Sequence, residues 1–142
     1  MLRTTILYLV LVAIAAIAAP VPKEVKRGVA LEGSWEVVEL HMQGQAIDTY
    51  NGAVWNITKE LIKIDHPVST GMPALSNKII SVEITATSKN LDYTNSQGIV
   101  RKCIFEIDGD SITLCIPLTT DRPEELKAGQ NNLLYKFKRV KE

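Results

Sequence analysis

The feature that most constrains the fold is a series of short segments in which apolar residues recur at every second position, separated by turn-forming residues. This period places alternate side chains on opposite faces of a β-strand. The strongest hairpin signal is Asp108-Gly109-Asp110, which separates two such segments. The sequence therefore predicts an all-β domain with strands at 34–42, 53–57, 61–64, 78–87, 91–93, 99–107, 111–116 and 133–140.

Two longer connections interrupt this series. Residues 67–77 contain Gly71 and Pro73, and residues 117–130 contain Pro123, so both are predicted to be loops. Many short strands at close spacing favour either an antiparallel sandwich or an antiparallel barrel. The alternation of apolar residues is the same in both architectures and does not choose between them.

The N-terminal residues predict export to the periplasm or the extracellular space. Arg3 precedes an apolar run at 6–19, and Ala16 and Ala18 stand at the two positions that a signal peptidase reads. The alternative is a retained membrane anchor, but a helix of about 21 Å is shorter than the ~30 Å hydrocarbon core, so we expect no transmembrane segment in the mature chain. The expected regions are a signal peptide at 1–18, a linker at 19–30 and one domain at 31–142.

Charge and cysteine content exclude several classes of function. The 16 basic and 16 acidic residues balance, so we expect no nucleic-acid partner. Cys103 and Cys115 flank the predicted hairpin, and strand parity places their sulfur atoms on opposite faces. A β-bulge would bring both to one face and permit a disulfide, so that alternative stays open.

The sequence shows no catalytic constellation. His41 and His66 are the only histidines, and no Gly-x-Ser-x-Gly motif accompanies them. Glu39 and His41 share a strand face, but two ligands without a third are typical of a polar surface rather than a metal site. We therefore expect a non-enzymatic protein without a cofactor or a bound metal.

Three residues favour the barrel over the sandwich: Gly33, Trp35 and Arg139. Arg139 lies in register with the core-type residues Tyr135 and Phe137 of the last strand, and a charge in that position needs a partner. The indole of Trp35 in the first strand offers a face for cation–π stacking. Such a pair would join the first and last strands, which closes a barrel. The pair resembles the lipocalin family, so we expect a small antiparallel lipocalin-like barrel of about eight strands.

A second resemblance covers nearly the whole of residues 31–140. The chain resembles the uncharacterised lipocalin-like domain family that is expanded in planctomycete bacteria. The sequence departs from the family pattern at Cys103, and its central third matches only through LDY at 91–93. The resemblance implies a fold and no activity, because the role of that family is itself unknown. The matching stretches, in order, are LEGSWEVV at 31–38, IFEIDGD at 104–110, ITLC at 112–115, RPEEL at 122–126 and FKRV at 137–140.

The predicted barrel indicates a binding domain for a small apolar or amphipathic ligand. Arg122, in the second long loop, is a candidate clamp for an anionic group, and the alternative is that it ties the loop to Asp121 or Glu125. A module of the cell envelope that binds a protein partner, with a filled core, is the second hypothesis. The residues predicted to line a cavity are Trp55, Ile62, Ile80, Val82, Ile84, Phe105, Leu114 and Tyr135.

Overall fold

The computed structural model describes residues 31–141, and the predicted signal peptide and linker lie outside them. The described chain contains one short 3-10 turn at Val68–Thr70, and its regular structure is otherwise β. No helix within 31–141 is long and apolar enough to cross a membrane. The strands are β1 (Gly33–Met42), β2 (Gln45–Ile47), β3 (Val54–Ile57), β4 (Leu61–Asp65), β5 (Leu75–Ile84), β6 (Lys89–Thr94), β7 (Val100–Asp108), β8 (Ser111–Pro117) and β9 (Asn132–Arg139).

Eight of these strands close into an antiparallel barrel. β1 pairs with β3, each strand from β3 to β8 pairs with the next, and β9 returns to pair with β1. β2 is an additional strand that forms a hairpin with the end of β1, where Leu40 lies opposite Ile47. The prediction of an all-β, lipocalin-like barrel of about eight strands is confirmed. A sandwich is excluded, because the ring of paired strands has no break.

The strands differ most from the prediction at β2, which was missed, and at β5, which ends at Ile84 rather than at residue 87. The sequence did not predict β2, because three residues are too few to show an alternating pattern. Residues 67–77 were expected to be a loop throughout, but β5 already begins at Leu75. Leu75 lies opposite Ile64 of β4, and Asn77 is buried, so the start of β5 belongs to the barrel wall.

Two β-bulges shift the register, one between β1 and β9 and one between β5 and β6. The second falls between Ile79 and Ser81 and corrects one prediction. Ile80 was expected to share an inward row with Val82 and Ile84, but it lies at the bulge and is 54% exposed. A bulge inserts one residue on one strand only, so alternation read from the sequence cannot be carried across it.

The two ends of the barrel differ in how the strands are connected. At the closed end the connections are the short turns 58–60, 85–88 and 109–110. At the opposite, open end they are the longer segments 48–53, 66–74, 95–99 and 118–131. Longer loops leave room for a cavity at their end of the barrel, whereas short turns bring the strands together.

Side chains fill the barrel interior near the closed end. The space that remains there is about 10 Å³, close to the volume that one water molecule needs. An eight-stranded barrel is just wide enough for its own side chains, and this one follows that rule. The residues around that space are Leu31, Trp35, Trp55, Ile57, Leu91, Ile112, Leu114 and Phe137.

Trp35 and Arg139 join the first and last strands at the closed end. They lie directly opposite each other, and the guanidinium carbon is 4.1 Å from the centroid of the indole. Nη1 of Arg139 also donates to the carbonyl of Glu32 at 3.3 Å. Gly33 has a φ of +131°, and a Cβ there would lie 2.8 Å from Nη1 of Arg139. Glycine therefore permits both the backbone conformation and the close approach of the guanidinium, and the predicted stacking is confirmed.

Replacing Arg139 by Ala is expected to lower the free energy of unfolding by about 1–3 kcal/mol, because stacking and packing of the aliphatic stem are both lost. Arg139→Lys should recover only part, since an ammonium group cannot lie flat on the indole. Urea denaturation measures both. Lys141→Ala is the matched control: this exposed lysine reaches Asp110 at 3.5 Å, and its loss should change stability by less than about 1 kcal/mol. Equal stability of Arg139→Ala and the unmodified protein would contradict the role of the stack.

Candidate functional site

The connection at 118–131 forms a strap over the outer surface of the barrel. Nη2 of Arg122 donates to Oδ2 of Asp92 on β6 at 3.0 Å, and Nη1 donates to the carbonyl of Cys103 on β7 at 2.9 Å. Arg122 thus attaches the loop to the barrel wall, and its carboxylate partner is Asp92 rather than Asp121 or Glu125. The use of Arg122 as an anion clamp stays a prediction. Its guanidinium group already binds the carboxylate of Asp92.

The two cysteines are free, and both are buried. Cys103 lies opposite Leu91 on the interior side, whereas Cys115 lies opposite Leu134, with its Sγ 3.9 Å from the carbonyl oxygen of Lys127 in the strap. The described pairing of β7 with β8 has no bulge, so the sulfurs face opposite sides as strand parity predicts. Burial raises the pKa of both thiols, which keeps them protonated and poorly nucleophilic.

Glu39 and His41 share the outer face of β1, as predicted. The imidazole Nε2 contacts one carboxylate oxygen, and Nζ of Lys136 lies 3.5 Å from the other. The hydrogen bond with His41 lowers the pKa of Glu39. No cluster of three or more His, Cys, Asp or Glu residues within 31–141 is arranged to hold a metal ion. The arrangement is that of a polar strand surface.

A cavity of about 210 Å³ opens at the open end of the barrel, and we call it the mouth pocket. Five strands and two of the open-end connections supply its walls with aromatic rings, aliphatic side chains and two thioethers. None of the described residues that line it is an Asp, Glu, Lys or Arg. Its lining is Met42, Tyr50, Ala53, Trp55, Ile64, His66, Met72, Leu75 and Tyr135.

Three ring contacts organise the mouth pocket. The centroids of Trp55 and Tyr135 are 5.1 Å apart, and Tyr135 stacks on Phe137 of the core at 5.5 Å. Across the pocket, the rings of Tyr50 and His66 meet edge-on at 5.9 Å. Burial raises the pKa of Tyr135 to about 12, so its phenol is neutral at physiological pH. The pocket therefore offers aromatic faces and uncharged polar groups.

His66, which lines the mouth pocket, carries a chemically unusual atom. Its Nδ1 is buried, and no hydrogen-bond partner is found for it among the described residues. An unpaired buried polar atom costs about 1–3 kcal/mol, so such atoms are rare in folded proteins unless a ligand or water meets them. The adjacent Asp65 does not serve it: the hydrogen bond described for the Asp65 carboxylate is the one it accepts from Asn56 at 3.4 Å.

Besides a cavity of about 360 Å³ beside the strap, lined by Glu124, Glu125, Lys127 and Asn132, two other cavities lie outside the barrel interior. One, of about 200 Å³, lies at the closed end beside Leu31 and the exposed Ile80. The other, of about 430 Å³, is a polar groove between the strap and the start of β6, where Lys89 and Glu106 form an ion pair at 3.2 Å. None of the three combines several aromatic rings with an unpaired buried atom, so the mouth pocket is the best candidate site.

The structure distributes the predicted cavity residues over four environments. Trp55 and Tyr135 line the mouth pocket. Val82 and Ile84 are partly buried against the core, and Ile80 is exposed as described above. Gly33, Trp35 and Arg139 lie together at the closed end. The predicted residues that belong to the packed core are Ile62, Phe105 and Leu114.

Sequence reasoning missed most of the mouth pocket. Tyr50, His66 and Met72 lie in the open-end connections, where no period exists to show which way a side chain points. Leu75 lay in a predicted loop, and Ala53 was assigned only as the first residue of a strand. One signal was present: Tyr50, His66 and Met72 are large residues inside segments otherwise rich in turn-forming residues.

Comparison of this chain with known proteins identifies no relative. No family model matches this chain, and neither the curated proteins nor the solved structures contain a significant match. The resemblance to the planctomycete lipocalin-like family thus stays a prediction that depends on the stretches quoted above.

Removing the guanidinium of Arg122 is expected to loosen the strap and expose Cys115. In Arg122→Gln, an aromatic disulfide reagent should modify Cys115 several-fold faster, while Cys103 inside the barrel stays protected; peptide mass mapping distinguishes the two. Lys127→Gln is the matched control, because it removes an exposed ion pair with Glu125 in the same strap. Equal reactivity of Cys115 in Arg122→Gln and Lys127→Gln would show that Arg122 does not hold the strap.

Stability should fall at high pH because of Tyr135. Its pKa is 10 in an ordinary setting and about 12 here. Between these values the tyrosine is ionised in the unfolded chain and protonated in the barrel, so the folded state binds more protons and the free energy of unfolding falls as pH rises. Tyr135→Phe should make that fall shallower by up to about 1.4 kcal/mol per pH unit, measured by urea denaturation. Parallel pH profiles for the two proteins would contradict this.

Proposed function

We propose that this protein is an exported, non-enzymatic binding domain that holds a small, largely apolar ligand in the mouth pocket. The observation that carries the proposal is the combination of a preformed aromatic cavity with the unpaired, buried Nδ1 of His66. Ligand sites are typically concave and mainly apolar, with a few polar groups that fix orientation. Export rests on the sequence of residues 1–18.

The size of the pocket limits the ligand. At about 210 Å³ it is smaller than the usual range for drug-sized ligands, about 300–1,000 Å³, and a cavity of ~150 Å³ suffices for benzene. Because the interior below retains only about 10 Å³, a long acyl chain has no space to extend into the barrel. The ligand is therefore compact, no larger than one ring or two fused rings, and sits at the rim.

The lining favours binding over catalysis. His66 is the one strong general acid–base candidate in the mouth pocket, and the described side chains around it include no carboxylate, lysine or thiol to form a dyad with it. We also retain the planctomycete lipocalin-like family as a proposal, supported by the ordered stretches from LEGSWEVV to FKRV.

The second candidate function is a protein-interaction module of the cell envelope. The filled interior favours it, since a barrel without a deep cavity acts through its surface. Val68 at the open end is 98% exposed, and Met72 in the same connection is 40% exposed, so this rim presents apolar side chains to solvent. Recovery of one stoichiometric partner by the protein, and its loss on Val68→Asp, would favour this second function.

Narrowing the mouth pocket should abolish ligand binding. Met72→Trp places a large side chain at the rim, where its exposure leaves room for it, and is expected to weaken the binding of an apolar fluorescent probe such as 1-naphthol by at least about tenfold. Val68→Trp adds the same bulk in the same connection without lining the pocket and should leave binding unchanged. Absence of probe binding to the unmodified protein, or equal affinity in both variants, would overturn the proposed function.

A further inference from the structure

Resting on that proposed function, we infer that the ligand of the mouth pocket is an uncharged aromatic ring carrying a hydroxyl group, and that this hydroxyl bonds to Nδ1 of His66. Three independent features of the pocket lead to the three parts of this description. The lining carries no charged side chain, which disfavours ionic ligands. Its aromatic wall favours a planar ring, and the unpaired Nδ1 of His66 favours a hydroxyl group.

The absence of charge is the first feature. The described lining of the mouth pocket contains no acidic residue and no lysine or arginine. A carboxylate or an ammonium group buried there would lose its hydration without gaining an ion pair, which is strongly unfavourable. A neutral molecule does not carry this cost, so a fatty acid, an amino acid or an amine is a poor occupant.

The composition of the wall is the second feature. Tyr50, Trp55 and Tyr135 present ring surfaces, and Met42 and Met72 present thioethers. Aromatic pairs gain about 0.5–1.5 kcal/mol beyond the area that they bury, and thioether sulfur also contacts ring edges favourably. A saturated ring of the same size would bury similar area without these contacts. The pocket should therefore bind a planar ring more tightly than its cyclohexyl counterpart.

The unpaired Nδ1 of His66 is the third feature. Nδ1 is a donor in one neutral tautomer and an acceptor in the other. A hydroxyl group both donates and accepts, so it pairs with Nδ1 in either tautomer, whereas an ether or ketone pairs with only one. The edge-on contact with Tyr50 holds the imidazole plane in place. Because Nδ1 is buried, the hydroxyl reaches it only when the pocket lining adjusts, and the unbranched, 40% exposed Met72 is a lining side chain that is free to move.

The test compares 4-methylphenol with toluene and with 4-methylcyclohexanol, using chemical-shift titration of the protein. We expect 4-methylphenol to bind about three- to tenfold more tightly than toluene, the range set by one net hydrogen bond. It should also bind more tightly than 4-methylcyclohexanol, by about twofold or more. In His66→Phe, which keeps a ring beside Tyr50, the preference for 4-methylphenol over toluene should vanish while toluene still binds.

His41→Phe is the matched control, because His41 lies on the outer face of β1 beside Glu39 and does not line the pocket. It should retain the full preference. Should His66→Phe fail to fold, the 15N resonance of Nδ1 in the unmodified protein gives the same answer: 4-methylphenol should shift it and toluene should not.

The outcomes separate this inference from the proposed function. Two results would overturn the inference and leave the proposed function standing. One is equal affinity for toluene and 4-methylphenol, and the other is an unchanged 15N shift of Nδ1 when 4-methylphenol binds. Equal binding of 4-methylphenol and 4-methylcyclohexanol would overturn its aromatic part. Failure of all three compounds and of 1-naphthol to bind would overturn the proposed function itself.

Discussion

The pairing of β1 with β9 is the contact on which the other features depend. It converts a linear sheet into a ring and so removes two exposed strand edges. Trp35 and Arg139 mark this seam, and Gly33 gives the guanidinium the space to reach the indole. Because the ring is closed, every inward side chain meets others from the opposite wall, and the interior fills near the closed end.

Filling of the interior in turn determines where a ligand can be held. The ring of Trp55 contacts both Phe137 of the core and Tyr135 of the mouth pocket, and those two rings stack on each other. The same rings that complete the packed core thus form the floor of the mouth pocket. This sharing gives the pocket a rigid base, while the open-end connections with Tyr50, His66 and Met72 supply its upper wall.

The sequence predicted the fold correctly where the position of one residue within a strand implied a contact with a distant strand. An arginine in register with Tyr135 and Phe137 needs a partner, and that need pointed to Trp35 and to barrel closure. The same reasoning failed at Ile80, since a bulge leaves no trace in the alternation. It also failed for the partner of Arg122, because Asp92 lies on the outer face of a strand that is distant in sequence. The mouth pocket was missed for a related reason. Its upper wall comes from loops, and the positions of these loops depend on how the barrel closes rather than on a local sequence pattern.

The seam between β1 and β9 also bears on how the chain reaches its folded state. The strands that must meet are the first and the last in the described sequence, so the decisive contacts have the greatest separation along the chain, a pattern that slows folding. The chain cannot complete the ring until the residues up to Arg139 are present to pair with β1. Until then β1 has an unpaired edge, and edges of this kind recruit other strands. Premature termination within β9 is thus more damaging than its length suggests: the truncated product keeps most of its residues but presents two open edges for aggregation.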